Sequence, residues 1–344
     1  MNDPCQRVLL GTAIGDSIGL PAEGMSRQAI ERRWKEPLKH RFLFGRGMIS
    51  DDTEHTVFVA QALIDHAENP IAFQKALAWK LKFWLICIPA GIGLATLRSI
   101  LKLWIGFSPN RSGVYSAGNG PAMRSAVIGA FFAGRPDKIA EFTRVSTRLT
   151  HTDPKAETAA VAIAYAAAWA VEHDTLIDDS FIEKLKGLTD DDQDWHQLVD
   201  AMAVAMKSRP SVREFADTLG LYKGVSGYCY HTVPVALYAW WLHYGDYQST
   251  IEEIISCGGD TDTTAAIAGA LAAIRGEIPE TWLTGLRDYP ISVSCLEKIG
   301  YQADQAAKGE IVYPLSLAWW FLPIRNLCFF LIVLVHGFRR LIPC

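Results

Sequence analysis

Residues 157–171 read ETAAVAIAYAAAWAV and residues 263–275 read TTAAIAGALAAIR. Alanine is the strongest helix former, and runs of this length outlast an ordinary strand. Neither stretch alternates polar with apolar residues as a half-buried strand does. Both are small and apolar almost all round, the mark of a helix buried on every side. Residues 56–66, 121–134 and 233–243 share this character, and clear strand patterns are nearly absent. The expected fold is therefore all-α, a compact multi-helix bundle.

With 344 residues, half of them hydrophobic, the chain has ample material for a large core. Its 33 Lys plus Arg against 37 Asp plus Glu leave a net charge of -4, so no basic excess points to nucleic acid. Seven cysteines lack any C-x-x-C pairing and the N-terminus lacks the layout of a secretory signal, which suggests a reducing cytoplasm. Residues 174–194 are acidic and polar, and their DDDQD stretch lacks the glycine of a calcium loop, so a solvated connector is expected. Residues 83–97 (FWLICIPAGIGLATL) read as a core helix, with a membrane-touching face as the alternative.

Residues 315–338, LSLAWWFLPIRNLCFFLIVLVHGF, are about as long as a bilayer span and are followed by Arg339 and Arg340. Pro323, Arg325 and Asn326 interrupt the run, and an arginine in mid-membrane is costly. A span, a hairpin, an interfacial segment and a helix packed on the protein's own surface all remain open. The expected organisation is a catalytic domain over residues 1–309 and a hydrophobic helical tail over 310–344, a candidate for membrane association through residues 315–338.

Chemistry concentrates at two helix starts. Ser50-Asp51-Asp52-Thr53 precedes one helix, and Gly258-Gly259-Asp260-Thr261-Asp262-Thr263-Thr264 precedes another. A single Asp or Ser there is ordinarily a cap for the free amides of the first turn. A cap needs one oxygen, however, and these segments supply four carboxylates whose mutual repulsion calls for a cation. Oxygen ligands without His or Cys suit Mg²⁺ or Mn²⁺ rather than Zn²⁺. Near the N-terminus, residues 15–24 (GDSIGLPAEG) carry Glu23 on a Pro-Gly loop, where a carboxylate suits general base work or lid closure. Residues 116–124 (SAGNGPAMR) make a Gly-rich turn into a helix opening with Pro121, the kind of start that cradles phosphate.

Taken in order, Gly-Asp-Ser-Ile-Gly with Glu23, Ser-Asp-Asp-Thr, Gly-Asn-Gly-Pro-Ala-Met-Arg, Thr150-His151 and Gly-Gly-Asp-Thr-Asp-Thr-Thr resemble the ADP-ribosylglycohydrolase family over roughly residues 8–275. The resemblance implies a binuclear centre of two divalent metal ions, Mg²⁺ or Mn²⁺, held by Ser50, Asp51, Asp52, Asp260, Asp262 and Thr263. It implies that Glu23 lies over the metals, with Asp16 in support. Ser116, Gly118, Asn119 and Gly120 would hold the diphosphate, His151 would contact ADP-ribose, and Tyr228 would wall the adenine or ribose. Ser50 replaces a common Thr but keeps the hydroxyl; Ala117 replaces an aromatic residue found in some relatives.

The implied reaction is hydrolysis of the bond between ADP-ribose and a modified protein side chain, arginine being commonest in the family. Glu23 or a metal-bound aspartate, Asp52 or Asp262, would move the proton. Competing expectations are a hydrolase of serine-linked, polymeric or small-molecule ADP-ribose derivatives, a two-metal phosphoesterase, and a non-catalytic ADP-ribose binder. The intact carboxylate set argues against the last.

Overall fold

The computed structural model describes residues 3–34, 38–42, 45–174 and 179–341. Among them are 18 α-helices and three short 3-10 helices, with isolated bridges and no strand, in keeping with the all-α expectation. Four of the alanine-rich stretches fall in helices Asp51–His66, Pro154–Glu172, Cys229–Leu242 and Thr261–Arg275. The fifth, residues 121–134, is broken into Gly120–Met123 and Ala126–Phe131. At the break the Ser125 hydroxyl donates to the Pro121 carbonyl at 2.7 Å, competing with the backbone ladder.

Two further expectations need correction. Residues 83–97 are not one core helix: helix Pro70–Ile86 ends, a turn follows, and helix Leu94–Trp104 begins. Pro89, Gly91 with φ +80° and Gly93 account for the break, and Phe83, Ile86, Ile88 and Leu94 are exposed. Within the supposed connector, residues 175–178 lie outside the described residues. From Asp179 the chain forms helix Asp179–Lys186, which buries Phe181, Ile182 and Leu185 on one face. The acidic residues had masked this helical spacing.

The molecule is organised around helix Pro4–Gly19, which is buried along nearly its whole length against helix Thr261–Arg275. Gly11, Gly15 and Gly19 recur every fourth residue on the shared face. A Cβ on them would stand 2.3, 2.1 and 2.3 Å from the carbonyl oxygens of Gly269, Ala265 and Thr261. Only glycine permits this approach. As a result the end of the first helix meets the start of the other, and Thr261 Oγ1 donates to the Gly19 carbonyl at 2.9 Å. Asp16, one turn earlier, reaches the start of helix Asp51–His66. Both carboxylate-bearing helix starts are thereby brought to one end of the first helix.

The C-terminal segment also folds back on this end. Trp319–Phe338 is long and apolar enough to cross a membrane by length and composition, with mean hydropathy 1.8, and 22% of it is buried. Its buried members include Arg325, Asn326 and Phe329. Phe329 joins Leu20, Phe42 and Met48 in a small apolar cluster beneath the Glu23 loop.

Candidate active site

Ser50 caps helix Asp51–His66: its hydroxyl accepts from the Asp52 amide at 3.2 Å and donates to Asp52 Oδ2 at 3.0 Å. Asp16 secures the same turn from the first helix, accepting from the Ser50 amide at 2.8 Å and from the Thr53 hydroxyl at 2.5 Å. The cap thus uses Ser50 and Asp16, leaving Asp51 and Asp52 without a capping role. At the other helix start Asp260 occupies the cap position but makes no capping hydrogen bond. Its Oδ2 accepts from Asn119 Nδ2 at 2.7 Å, while the same amide donates to Thr232 Oγ1 at 3.1 Å. The two segments touch directly where Thr263 Oγ1 donates to Asp52 Oδ2 at 3.2 Å.

Burial and charge make this arrangement costly by itself. Asp52 and Asp262 are buried, and Oδ1 of each, together with Oδ1 of Asp16, has no hydrogen-bond partner. Burial, then Asp51, Asp16 and Asp260, raise the Asp52 carboxyl well above the usual range. Burial, then Glu23, Asp260 and Asp52, do the same to Asp262, and burial, Glu54, Asp16 and Glu23 to Asp51. Asp16 is pushed up to about 7 by burial, against the hydrogen bonds from Thr53 and Ser50. Orphaned buried carboxylate oxygens that destabilise one another suit a divalent cation, whose charge offsets their mutual repulsion. Among the described residues no three His, Cys, Asp or Glu side chains come together closely enough to enclose an ion alone. A bound cation would draw also on the Ser50 and Thr263 hydroxyls and on water, as Mg²⁺ commonly does.

The Glu23 loop is pinned to this end by the backbone. The Gly24 amide donates to the Gly259 carbonyl at 2.7 Å, and the Gly259 amide to the Met25 carbonyl at 2.9 Å. On the other side the Asp260 amide donates to Val225 at 2.7 Å. Gly259, at φ +89°, leaves no room for a side chain, since a Cβ would stand 2.0 Å from the Val225 carbonyl oxygen. Glu23 itself is exposed, and its charge acts on both Asp51 and Asp262.

The expected substrate residues form the adjoining wall. Gly118 bridges to Tyr228, the Asn119 amide donates to the Gly227 carbonyl at 2.9 Å, and Gly118 and Gly120 lie against the His151 ring. Ser116 is half-buried on the same turn. Helix Gly120–Met123 is only four residues long, so the backbone turn, rather than a helix dipole, is what this wall offers a phosphate. The buried Arg124 donates to Thr150 Oγ1 at 2.8 Å and to the Gly120 carbonyl at 3.1 Å. His151 Nδ1 lies 2.9 Å from Thr150 Oγ1. Arg124 donates into that same oxygen, which also lies 3.5 Å from the Thr147 carbonyl, so Arg124, Thr150 and His151 form one buried chain. Burial, and then Arg124, lower the His151 pKa to about 3, so the ring is neutral. Tyr228 is half-buried, edge-on to His231 with centroids 4.9 Å apart.

Sequence reasoning missed a buried ion cluster behind Ser50. Arg325 donates through Nε and Nη2 to the two Asp288 oxygens at 3.0 and 2.5 Å, and through Nη2 to the Ile49 carbonyl at 2.6 Å. Glu54 lies 3.6 Å away and accepts from Trp84 Nε1 at 2.6 Å. The signal was the lone arginine in an apolar run, which needed a partner the sequence could not name.

A model of the ADP-ribosylglycohydrolase family matches residues 2–311. An uncharacterised protein of Archaeoglobus fulgidus is 30% identical, covering 84% of this chain and 93% of its own length. The ADP-ribosyl-[dinitrogen reductase] glycohydrolase of Rhodospirillum rubrum is 25% identical over 83% of this chain and 91% of its own. Human ADP-ribosylhydrolase ARH3 is 28% identical, the match spanning 53% of this chain and 58% of ARH3. Among solved structures, an ADP-ribosylglycohydrolase-related protein complex aligns with a TM-score of 0.66 at 22% identity, covering 89% of this chain and 98% of its own, a likeness of fold.

Proposed function

The chain belongs to the ADP-ribosylglycohydrolase family, a glycohydrolase acting on ADP-ribose linkages, and we propose that it cleaves the N-glycosidic bond joining ADP-ribose to a protein arginine. The observation that carries the reading is the set of partnerless, buried Oδ1 atoms on Asp16, Asp52 and Asp262 beside Asp260 and the exposed Glu23. Ser50, Asp51, Asp52, Asp260, Asp262 and Thr263 are the residues that would hold two Mg²⁺ or Mn²⁺ ions. When bound, such ions supply charge neutralisation and water activation.

The remaining steps belong to the protein. The neutral His151 ring and the amides of Gly118 and Gly120 orient the diphosphate, and Tyr228 flanks the nucleoside. Ser116 contributes a hydroxyl to the same wall. Asn119 positions Asp260 through its hydrogen bond. Glu23 takes a proton from the attacking water as the water oxygen bonds to ribose C1; the C1–N bond breaks with its electron pair passing to the guanidinium nitrogen, and Glu23 returns its proton to the departing guanidine. The proposed catalytic unit is residues 1–309 with the C-terminal helix Leu322–Leu341 docked on it.

The test is release of intact ADP-ribose from an arginine-ADP-ribosylated protein by the full chain, with Mg²⁺, with Mn²⁺ and with EDTA. Metal-dependent release supports the reading. No release, with ADP-ribose still bound by calorimetry, sinks it for arginine. A serine-linked substrate is run beside it, and release from that substrate alone would transfer the reading to the other linkage.

A further inference from the structure

Helix Leu322–Leu341 has two unlike faces. One carries Arg325, Asn326 and Phe329 into the protein; the other leaves Ile324, Leu327, Leu331, Leu334 and Phe338 exposed at spacings of three and four residues. Helix Pro70–Ile86 and the turn after it expose Trp79, Phe83, Ile86 and Ile88. The two apolar surfaces meet at Cys87, whose carbonyl accepts from Asn326 Nδ2 at 2.8 Å. So much exposed apolar surface is unusual for a freely soluble protein.

Charge says what covers it. In a chain of net charge -4, residues 69–136 contain no Asp or Glu but include Lys75, Lys80, Lys82, Arg98, Lys102 and Arg111. Residues 311–344 likewise lack acids and carry Arg339 and Arg340 directly after the apolar run. The Lys82 ammonium lies 4.3 Å from the ring centres of both Trp79 and Trp104. An apolar face edged by tryptophan and basic residues, with every acid excluded, is complementary to an anionic lipid surface. A protein partner would require no such one-sided exclusion.

The buried face fixes how the helix meets the lipid. A helix spanning the bilayer would carry Arg325 out of its paired site and leave Asp288 and Glu54 buried without their cation. We propose that the protein docks on anionic membranes with helix Leu322–Leu341 lying in the plane of the interface, beside the exposed apolar surface of residues 79–88. This proposal stands independently of the reaction.

Flotation of the full chain with phosphatidylcholine vesicles, and with the same vesicles carrying phosphatidylglycerol, tests it. Binding to the anionic vesicles should exceed that to neutral ones by about tenfold or more and fall with salt. Two variants, Lys75→Glu with Arg98→Glu and Leu327→Gln with Leu331→Gln, change exposed side chains. Each should lose about tenfold in binding with an unchanged melting temperature. Alkaline carbonate should release the bound protein. Failure to float with anionic vesicles overturns the proposal, as does retention through carbonate. A dimer in sedimentation that the leucine variant dissolves, without vesicle binding, would assign the face to a second copy and overturn it too.

Discussion

At the scale of single residues, the site is a set of charges that is unfavourable until something neutralises it. Replacing Asp260 and Asp262 by Asn should therefore have two opposite effects. Turnover should fall by about 100-fold or more, since ligands of a reactive metal matter at least as much as their supporting neighbours. The melting temperature in EDTA should rise or hold, because burial and the charges of Glu23, Asp260 and Asp52 disfavour the Asp262 carboxylate. A fall in both would mean that the two carboxylates are structural. His151 gives a pH test. Its folded pKa, lowered to about 3, lies below its ordinary 6.5, so the unfolded chain takes up the proton first. The His151 contribution to stability is complete above about pH 6.5 and is lost as pH falls toward 3. His151→Gln should flatten the decline in urea midpoint between pH 7 and 4 relative to the parent, and an equal slope in both would refute the neutral ring. The same variant should weaken ADP-ribose by about tenfold, the worth of one hydrogen bond. Asp51, Asp52, Asp260 and Asp262 were legible as a group because capping could not account for four carboxylates. The link from Arg124 through Thr150 to His151 was not, because it depends on which atoms face each other.

At the scale of elements, the two decisive contacts are a glycine seam and an arginine anchor. Gly15→Ala would place a methyl carbon 2.1 Å from the Ala265 carbonyl oxygen, so helices Pro4–Gly19 and Thr261–Arg275 must separate. The expected cost is about 1–3 kcal/mol, measured as a lower denaturant midpoint, together with lost turnover as Asp260 and Asp262 shift away from Asp16 and Asp52. Arg325→Met leaves Asp288 and Glu54 buried and unpaired and should cost about 3–5 kcal/mol. Adding Asp288→Asn should recover part of the melting temperature, and no recovery would deny that the pair is the cause. Helix existence was readable from the alanine runs, because composition alone makes them buried helices. The helix Asp179–Lys186 and the break within residues 83–97 were not: acidic residues hid the first, and apolar side chains drew attention away from Pro89, Gly91 and Gly93 in the second.

At the scale of the whole molecule, the sequence divides at the shift from polar residues near Gly309 to the apolar run, whereas the folded chain couples the two sides. Arg325 holds the Ile49 carbonyl immediately before Ser50, and His336 Nε2 lies 3.2 Å from the Pro21 carbonyl, two residues before Glu23. His336 also packs edge-on against Phe42 at 4.9 Å, and Phe329 fills the space between Leu20, Phe42 and Met48. The C-terminal helix thus braces both the helix start bearing Ser50 and Asp52 and the loop bearing the proposed base. A chain ending at Gly309 would keep every proposed ligand yet expose Leu20, Phe42 and Met48 and orphan Asp288. It should melt at a lower temperature than the full chain and release ADP-ribose more slowly in solution, with added Mg²⁺ restoring only part of the loss. The comparison needs no membrane, so it separates bracing from lipid docking. Equal melting temperature and equal turnover in the two chains would show that the helix serves the surface alone; a loss in both would make residues 310–344 part of the catalytic machinery's support.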